Sequence, residues 1–299
     1  MSKRQALIVW GGWSGHDPEA CAAIYRRWLH EDGYSVRVEN DSAVYGDPSI
    51  HDLSLIIPLA SVWKIERDHV MNLVKAVENG VGLAGHHGGM SDAFRDQTDY
   101  QFVVGGQWVA HPGGIIDYEV KLLSYTGDPI IEGLNDFKMH SEQYYMHVDP
   151  ANCVHAITMF GYTAMPVIWT KSYGKGRVYY CSLGHVAENV RMPQVLELVT
   201  RGMIAATQPF MPPMVAKMVV VQWLSGMRPG EVCSMTRDAL FEFEDLMLYE
   251  PRRHKLEHFG LRRVIVLMIP RVAGLGVLTF NTLVFNNIAS RMGSGAVSA

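Results

Sequence analysis

An α/β fold, a parallel sheet covered by helices on both faces, is what the first 207 residues predict, and three observations lead there. Apolar runs of strand length alternate with amphipathic helical stretches. Glycine-rich turns follow several of those runs. The composition, 299 residues with 48% hydrophobic and 19% charged, supplies one large core or two ordinary ones.

The elements follow in order. Gln5–Trp10 (QALIVW) is an apolar run ending in Gly11 and Gly12, and residues 18–32 form a helical stretch with Ala22, Ala23, Tyr25, Trp28 and Leu29 on one face. Asp17 and Pro18 have the chemistry of a helix cap and first-turn proline. Residues 34–38 alternate like a strand, and residues 53–60 read as a fully buried one. Within residues 66–79, Val70, Leu73, Val74 and Val77 recur at helical spacing, and Asn79-Gly80 closes that helix. Residues 81–84 and 177–181 are further short buried strands. Ligands of such sheets sit at the carboxyl ends of the strands. The loops after Trp10, Ala60, Ala84 and Cys181 are therefore the ones that matter.

Several function classes drop out on composition. The longest apolar stretches, 53–60 and 264–270, are far below the roughly 20 residues a membrane helix needs. The N-terminus runs directly into a strand without a secretory signal pattern, so a cytoplasmic location is expected. Cys21, Cys153, Cys181 and Cys233 have no CxxC spacing, which argues against a disulfide framework or a zinc knuckle. Residues 1–207 carry 16 basic against 23 acidic side chains, residues 208–299 carry 10 against 7. Acidity of that size disfavours a nucleic-acid partner for the first part and permits a weak one for the second.

Unusual residues concentrate in the loops named above. His16 lies in WSGHDP after the first strand, His86 and His87 in GHHGGM after the strand at 81–84, and His185 in SLGH after the strand at 177–181. Residues 139–147 add Glu142, Tyr144, Tyr145, His140 and His147 in a stretch too polar for plain core.

Five motifs in order, GHDP at 15–18, GHHGG at 85–89, QFVVGGQWVAHPGG at 101–114, SEQYYMHVDP at 141–150 and YGKGRVYYCSLGH at 173–185, resemble the ThuA-like (trehalose utilisation) family over nearly all of residues 5–206. The resemblance implies a flavodoxin-like sheet related to class I glutamine amidotransferases. It also implies that His87 occupies the strand-to-helix elbow where an amidotransferase has its cysteine, with His185 near the triad histidine. An imidazole suits proton transfer or metal binding rather than covalent glutaminase chemistry. None of the four cysteines falls where it would replace the missing nucleophile.

His87, His185 and Glu142 are thus the expected catalytic acid and base groups. His16, Trp13, Trp108, Tyr144 and Tyr145 are expected to bind a small-molecule sugar, the aromatics through their flat faces. His86 should point away from its neighbour and serve structure, and His111, His140 and His147 should stabilise loops. No HxxxH or HExxH pair is present, so a zinc ion would need ligands from separate loops. A homo-oligomer is compatible with the sequence. A non-catalytic sugar-binding or regulatory module is the competing reading.

Beyond residue 207 the pattern changes. QPFMPP at 208–213 reads as a linker, and SGMRPGEV at 225–232, LYEP at 248–251 and HKLEHFGLRRVI at 254–265 resemble the catalytic domain of tyrosine recombinases. That resemblance implies a phosphate-gripping role for Arg228 and an acid role for Lys255, and a partial α+β fold. The chain has no histidine after His258 and no tyrosine after Tyr249, so the downstream HxxR pair and the nucleophile are missing. Residues 214–270 therefore read as a truncated fragment not competent for recombination, with weak DNA binding through Arg228, Lys255, Arg262 and Arg263. An accessory helix and hairpin is the alternative, and residues 271–299 remain an unassigned tail.

Overall fold

The computed structural model describes residues 4–123 and 128–208, together with three short strands at 240–243, 246–249 and 265–267. The chain divides into two compact units, Met1–Phe210 and Met211–Ala299.

The first unit opens with β1 (Gln5–Trp10), α1 (Pro18–Glu31), β2 (Ser35–Glu39), β3 (Leu55–Leu59), α2 (Arg67–Asn79) and β4 (Gly82–His86). Two short helices follow, α3 (His87–Ser91) and α4 (Thr98–Val104), then β5 (Gly106–Ala110), β6 (Ile115–Leu122), β7 (Phe137–Glu142), β8 (Tyr145–Val148), β9 (Cys153–Phe160), β10 (Thr163–Tyr173) and β11 (Gly176–Cys181). Helices α5 (Ala187–Arg191) and α6 (Pro193–Thr207) end the unit.

The nine-stranded sheet has the order β2-β1-β3-β4-β11-β10-β9-β6-β7. Its first five strands are parallel, in the flavodoxin-like arrangement. The other four are antiparallel, which corrects the expectation of a parallel sheet throughout. The reason is connection length. Helices cross over between β1 and β2 and between β3 and β4, whereas only Gly174 and Lys175 separate β10 from β11, and two residues can join only antiparallel strands.

Side chains alternate across the parallel half and build a core on each face. Ala6 and Ile8 of β1 join Ala22, Tyr25 and Leu29 of α1 and Leu198, Val199 and Met203 of α6. Leu7 and Val9 join Val70, Leu73, Val74 and Val77 of α2 and Tyr100 and Val103 of α4. Both layers place the carboxyl ends of β1, β3, β4 and β11 along one edge, where His16, Ser61, His87 and His185 follow.

One local expectation holds only in part. Asp17 occupies the N-cap position of α1 with Pro18 first in the helix, but its backbone is left-handed and its side chain forms no cap bond. Its carboxylate instead accepts a 3.2 Å hydrogen bond from Ala187 N, so the His16 loop is tied to the start of α5, just past His185.

In the second unit, β12 (Leu240–Phe243), β13 (Leu246–Tyr249) and β14 (Ile265–Leu267) form an antiparallel sheet in that order. Arg228, Lys255, Arg262 and Arg263 lie outside the described residues, as do the linker from residue 209 and the tail. Among the described residues, no helix is long and apolar enough to cross a membrane.

Candidate functional site

The site starts from an elbow. β4 ends at His86 and the chain turns at once into α3 with His87 at φ 48°, a left-handed conformation that a non-glycine residue adopts only under constraint. Among the described residues the other left-handed non-glycine positions are Asp17, Val62 and Phe94. Asp17 follows His16 and Val62 follows Ser61, so three of the four strained positions border one spot. A glycine is required beside them. A Cβ on Gly88 would lie 2.5 Å from His16 Cε1 and 3.0 Å from the Tyr144 hydroxyl.

Four side chains converge there. The candidate ligand atoms of His16, His87, Glu142 and His185 all lie within 4.8 Å of one another. His87 Nε2 is 3.0 Å from Glu142 Oε2, His185 Nδ1 is 3.1 Å from the same oxygen, and the two histidine nitrogens are 3.4 Å apart. His16, 4.7 Å from His87 and 5.2 Å from His185 between ring centroids, closes the group edge-on. Three loops of the parallel half supply the imidazoles, and the end of β7 supplies the carboxylate.

Their protonation follows from what holds the far side of each ring. His87 Nδ1 stands 2.8 Å from the Ser182 carbonyl, an acceptor only, so the proton sits on Nδ1 and the lone pair of Nε2 faces Glu142. Burial pushes the His87 pKa below its ordinary value, and pushes that of His16 down to about 3 with help from the neighbouring His87 and His185. His16 Nδ1 is 2.6 Å from Ser61 Oγ. Burial alone would raise the Glu142 carboxyl; the neighbouring His185 and His87 rings reverse this and hold it well below the usual carboxylate range. A carboxylate therefore faces the lone pair of the neutral His87 ring at hydrogen-bond distance. Two acceptors so close are stable only with a proton or a cation between them.

An aromatic wall backs the group. Tyr144 is buried and stacks on His87 with centroids 3.9 Å apart, Trp108 lies 6.1 Å from Tyr144, and His111 lies 5.7 Å from Trp108. His111 Nδ1 is 3.6 Å from Glu142 Oε1, and both that nitrogen and Trp108 Nε1 are buried with no hydrogen-bond partner. Trp13 is 50% exposed and packs its edge on His16 at 4.6 Å. Tyr145, 42% exposed, packs against Phe160. Tyr144 lies in the short connection between β7 and β8 and reaches the cluster, whereas Tyr145, the first residue of β8, does not.

The structure thus brings together His87, His185, Glu142 and His16, with Tyr144, Trp108 and Trp13 around them. His86 turns away, 3.0 Å from the Tyr25 hydroxyl and bonded to the Gly184 backbone, as a structural role requires. His111, expected only to stabilise a loop, lies 3.6 Å from Glu142 Oε1, and its place in HPGG on the strand-to-turn edge is the available signal. Ser61 and Ser182 carried no sequence signal, since their contribution is to orient rings from behind. Burial pushes the Cys21 and Cys181 thiols up to about 12, so neither supplies a thiolate, and Cys233 lies outside the described residues.

Comparison with known proteins agrees with the fold. The family model described as ThuA, trehalose utilisation, matches residues 5–204. A ThuA-like protein from Bacteroides uniformis superposes with a TM-score of 0.58 at 16% identity, over 68% of this chain and 91% of the other. One from Parabacteroides merdae gives 0.55 at 16% identity, over 71% and 94%. At such identities the likeness is one of fold. No curated protein matches the chain.

Proposed function

The chain belongs to the ThuA, trehalose utilisation, family, and on that premise we propose that His16, His87, Glu142 and His185 form a divalent-metal site, with zinc the best fit, for acid–base chemistry on a sugar. One observation carries the reading: the proton of His87 is committed to the Ser182 carbonyl, leaving its Nε2 lone pair aimed at a carboxylate and at a second imidazole. Donors about 2.1 Å from a tetrahedral zinc stand about 3.4 Å from one another. The His87–His185 separation of 3.4 Å and the two Glu142 contacts at 3.0 and 3.1 Å lie close to that spacing. Three imidazoles and one carboxylate are a zinc donor set, and the bonds of His87 to Ser182 and His16 to Ser61 are the backing that orients such ligands.

A bound cation would supply a Lewis acid for a sugar hydroxyl or carbonyl oxygen. The chain's own residues do the rest. Glu142 Oε2 is taken by His87 and His185, which leaves Oε1 facing His111. His111 Nδ1 has no other partner, so a proton can pass between these two groups and a substrate hydroxyl. Tyr144 fixes the plane of His87 and closes the site against water from behind. In this reading His87 and His185 hold and orient, and the acid–base role moves to His111 with Glu142.

The test is zinc titration by calorimetry on the full chain, paired with turnover assays over trehalose and keto-glycosides. Wild type should bind one zinc per chain, His87→Ala should lose at least about a hundredfold in affinity, and His111→Ala should keep zinc while losing turnover. Zinc affinity unchanged by His87→Ala overturns the site. Zinc and sugar binding with no turnover on any glycoside leaves the non-catalytic sugar-binding module as the function.

A further inference from the structure

An open cleft of about 870 Å³ begins at His185 and runs along β7. That volume lies in the upper range of small-molecule sites and exceeds what one pyranose ring fills. β7 is the last strand of its sheet, and three consecutive residues, Lys138, Met139 and His140, line the cleft. Because strand side chains alternate, three in a row means that the backbone of this sheet edge contributes hydrogen-bonding groups as well. α5 forms another wall through Glu188, and Ile115 and Met192 give the cleft apolar surface.

The cleft carries charges of both signs. Asp117 of β6 lies 2.8 Å from His140, and the lining sets one lysine, Lys138, beside two carboxylates, Asp117 and Glu188. The cleft therefore has no excess of positive charge to hold a phosphate or carboxylate, and its mixture of polar rim and apolar surface suits a ligand with hydroxyl edges and apolar C–H faces. Asp117 and His140 are cross-strand partners, and the same ladder pairs Ile115 with Glu142. Asp117 and Glu142 are thus two positions apart in register, on the same face, about one sugar unit along the strand direction.

We propose that this cleft holds the non-reacting unit of a neutral disaccharide or longer glycoside, with Asp117, His140 and Lys138 reading its hydroxyls while the reacting unit lies at His185 and Glu142. The proposal rests on the sugar-directed reading above. It makes the protein selective for neutral glycosides of two or more units over monosaccharides and over sugar phosphates.

Calorimetry on the zinc-loaded full chain with trehalose, maltose, lactose, glucose and trehalose 6-phosphate tests it. At least one neutral disaccharide should bind more tightly than glucose and than the phosphate ester. The double variant Asp117→Ala/His140→Ala, whose side chains are exposed and make no core contact, should weaken that disaccharide about tenfold, the value of two hydrogen bonds, and leave glucose unchanged. Lys138→Ala should act in the same direction. The proposal is overturned if no disaccharide binds more tightly than glucose, if the phosphate ester binds best, or if neither variant separates disaccharide from glucose. Zinc titration of the same variants keeps the two readings apart: a disaccharide-specific loss in a protein that binds no zinc refutes the metal site and leaves the cleft standing.

Discussion

Two buried histidine–carboxylate groups in one unit have opposite characters. At the far end of β9, His155 Nδ1 donates to Asp128 Oδ2 and His155 Nε2 lies 2.8 Å from Thr170 Oγ1, while Asp128 Oδ1 accepts from Ile130 N at 2.9 Å. Every polar atom there has a partner that suits it. At the other group, His87 and Glu142 turn acceptors on each other, and His111 Nδ1 and Trp108 Nε1 have no hydrogen-bond partner. A saturated network holds a loop to a sheet. An unsaturated one of the same residue types is shaped for something that is not protein. The backbone agrees, since the left-handed positions Asp17, Val62 and His87 surround the second group and none adjoins the first.

The difference should be most visible in acid. Burial holds His16 and His86 neutral, each with its pKa moved from 6.5 to about 3. In zinc-free protein the unfolded chain binds these protons first, so stability falls as the pH drops from 6.5 toward 3, by about 1.4 kcal/mol per pH unit for each ring. The hydrogen bonds from His155 and Ile130 N, opposing the effect of burial, hold the Asp128 carboxyl below its ordinary 3.8, so its contribution is lost only in stronger acid. Thermal melts in chelator from pH 7 to pH 5 should show the midpoint falling steadily, and His16→Gln should flatten part of the slope. A midpoint constant across that interval would remove the claim that the site end is held neutral by burial.

Exchanging the lesions gives the next largest effect. Glu142→Gln keeps shape but removes the charge and should cost about a hundredfold or more in zinc affinity with little change in stability without metal. Asp128→Asn should do the reverse, destabilising by about 1–3 kcal/mol as a buried partner is lost, with zinc affinity unchanged. Urea melts and zinc titrations of both variants form the cross-check. If Asp128→Asn weakens zinc as much as Glu142→Gln does, the two groups are not separate.

How much of this was legible in the sequence depends on the range of the interaction. The run QALIVW, the Val70–Val77 spacing and the elbow glycines are local signals, and they give the parallel half and place His16, His87 and His185 on one edge. Glu142 was found because carboxylate, histidines and tyrosines in one short stretch are unusual. The antiparallel half was largely missed, although Tyr173-Gly174-Lys175-Gly176 is a hairpin signal, because attention to crossover helices predicts parallel partners everywhere. The position of Asp17 at the start of α1 was legible but the partner of its side chain was not. Its helix-capping chemistry is a local preference, and the bond to Ala187, 170 residues away, outweighs it. The division of roles between Tyr144 and Tyr145 follows from where β7 ends and β8 begins, since Tyr144 falls in the connection and Tyr145 in the strand.

The smallest expected effect bears on the stored strain. Val62 is β-branched, sits at φ 59° and is 50% exposed, so its side chain contributes little burial to offset a left-handed backbone. Its N–H bonds Asp92 O at 3.0 Å and the neighbouring Ser61 carbonyl receives Trp13 N at 2.9 Å, and these bonds hold the loop that presents Ser61 to His16. Val62→Gly relieves the strain and gives up chain entropy in the unfolded state, for a net stabilisation of about 1 kcal/mol and a midpoint rise of about 2–4 °C. The same freedom lets Ser61 drift from His16, so zinc affinity should fall several-fold while the Asp128–His155 group is untouched. A less stable variant with unchanged zinc binding would mean that the loop conformation is simply what packing prefers there, and the link between strain and site would be lost.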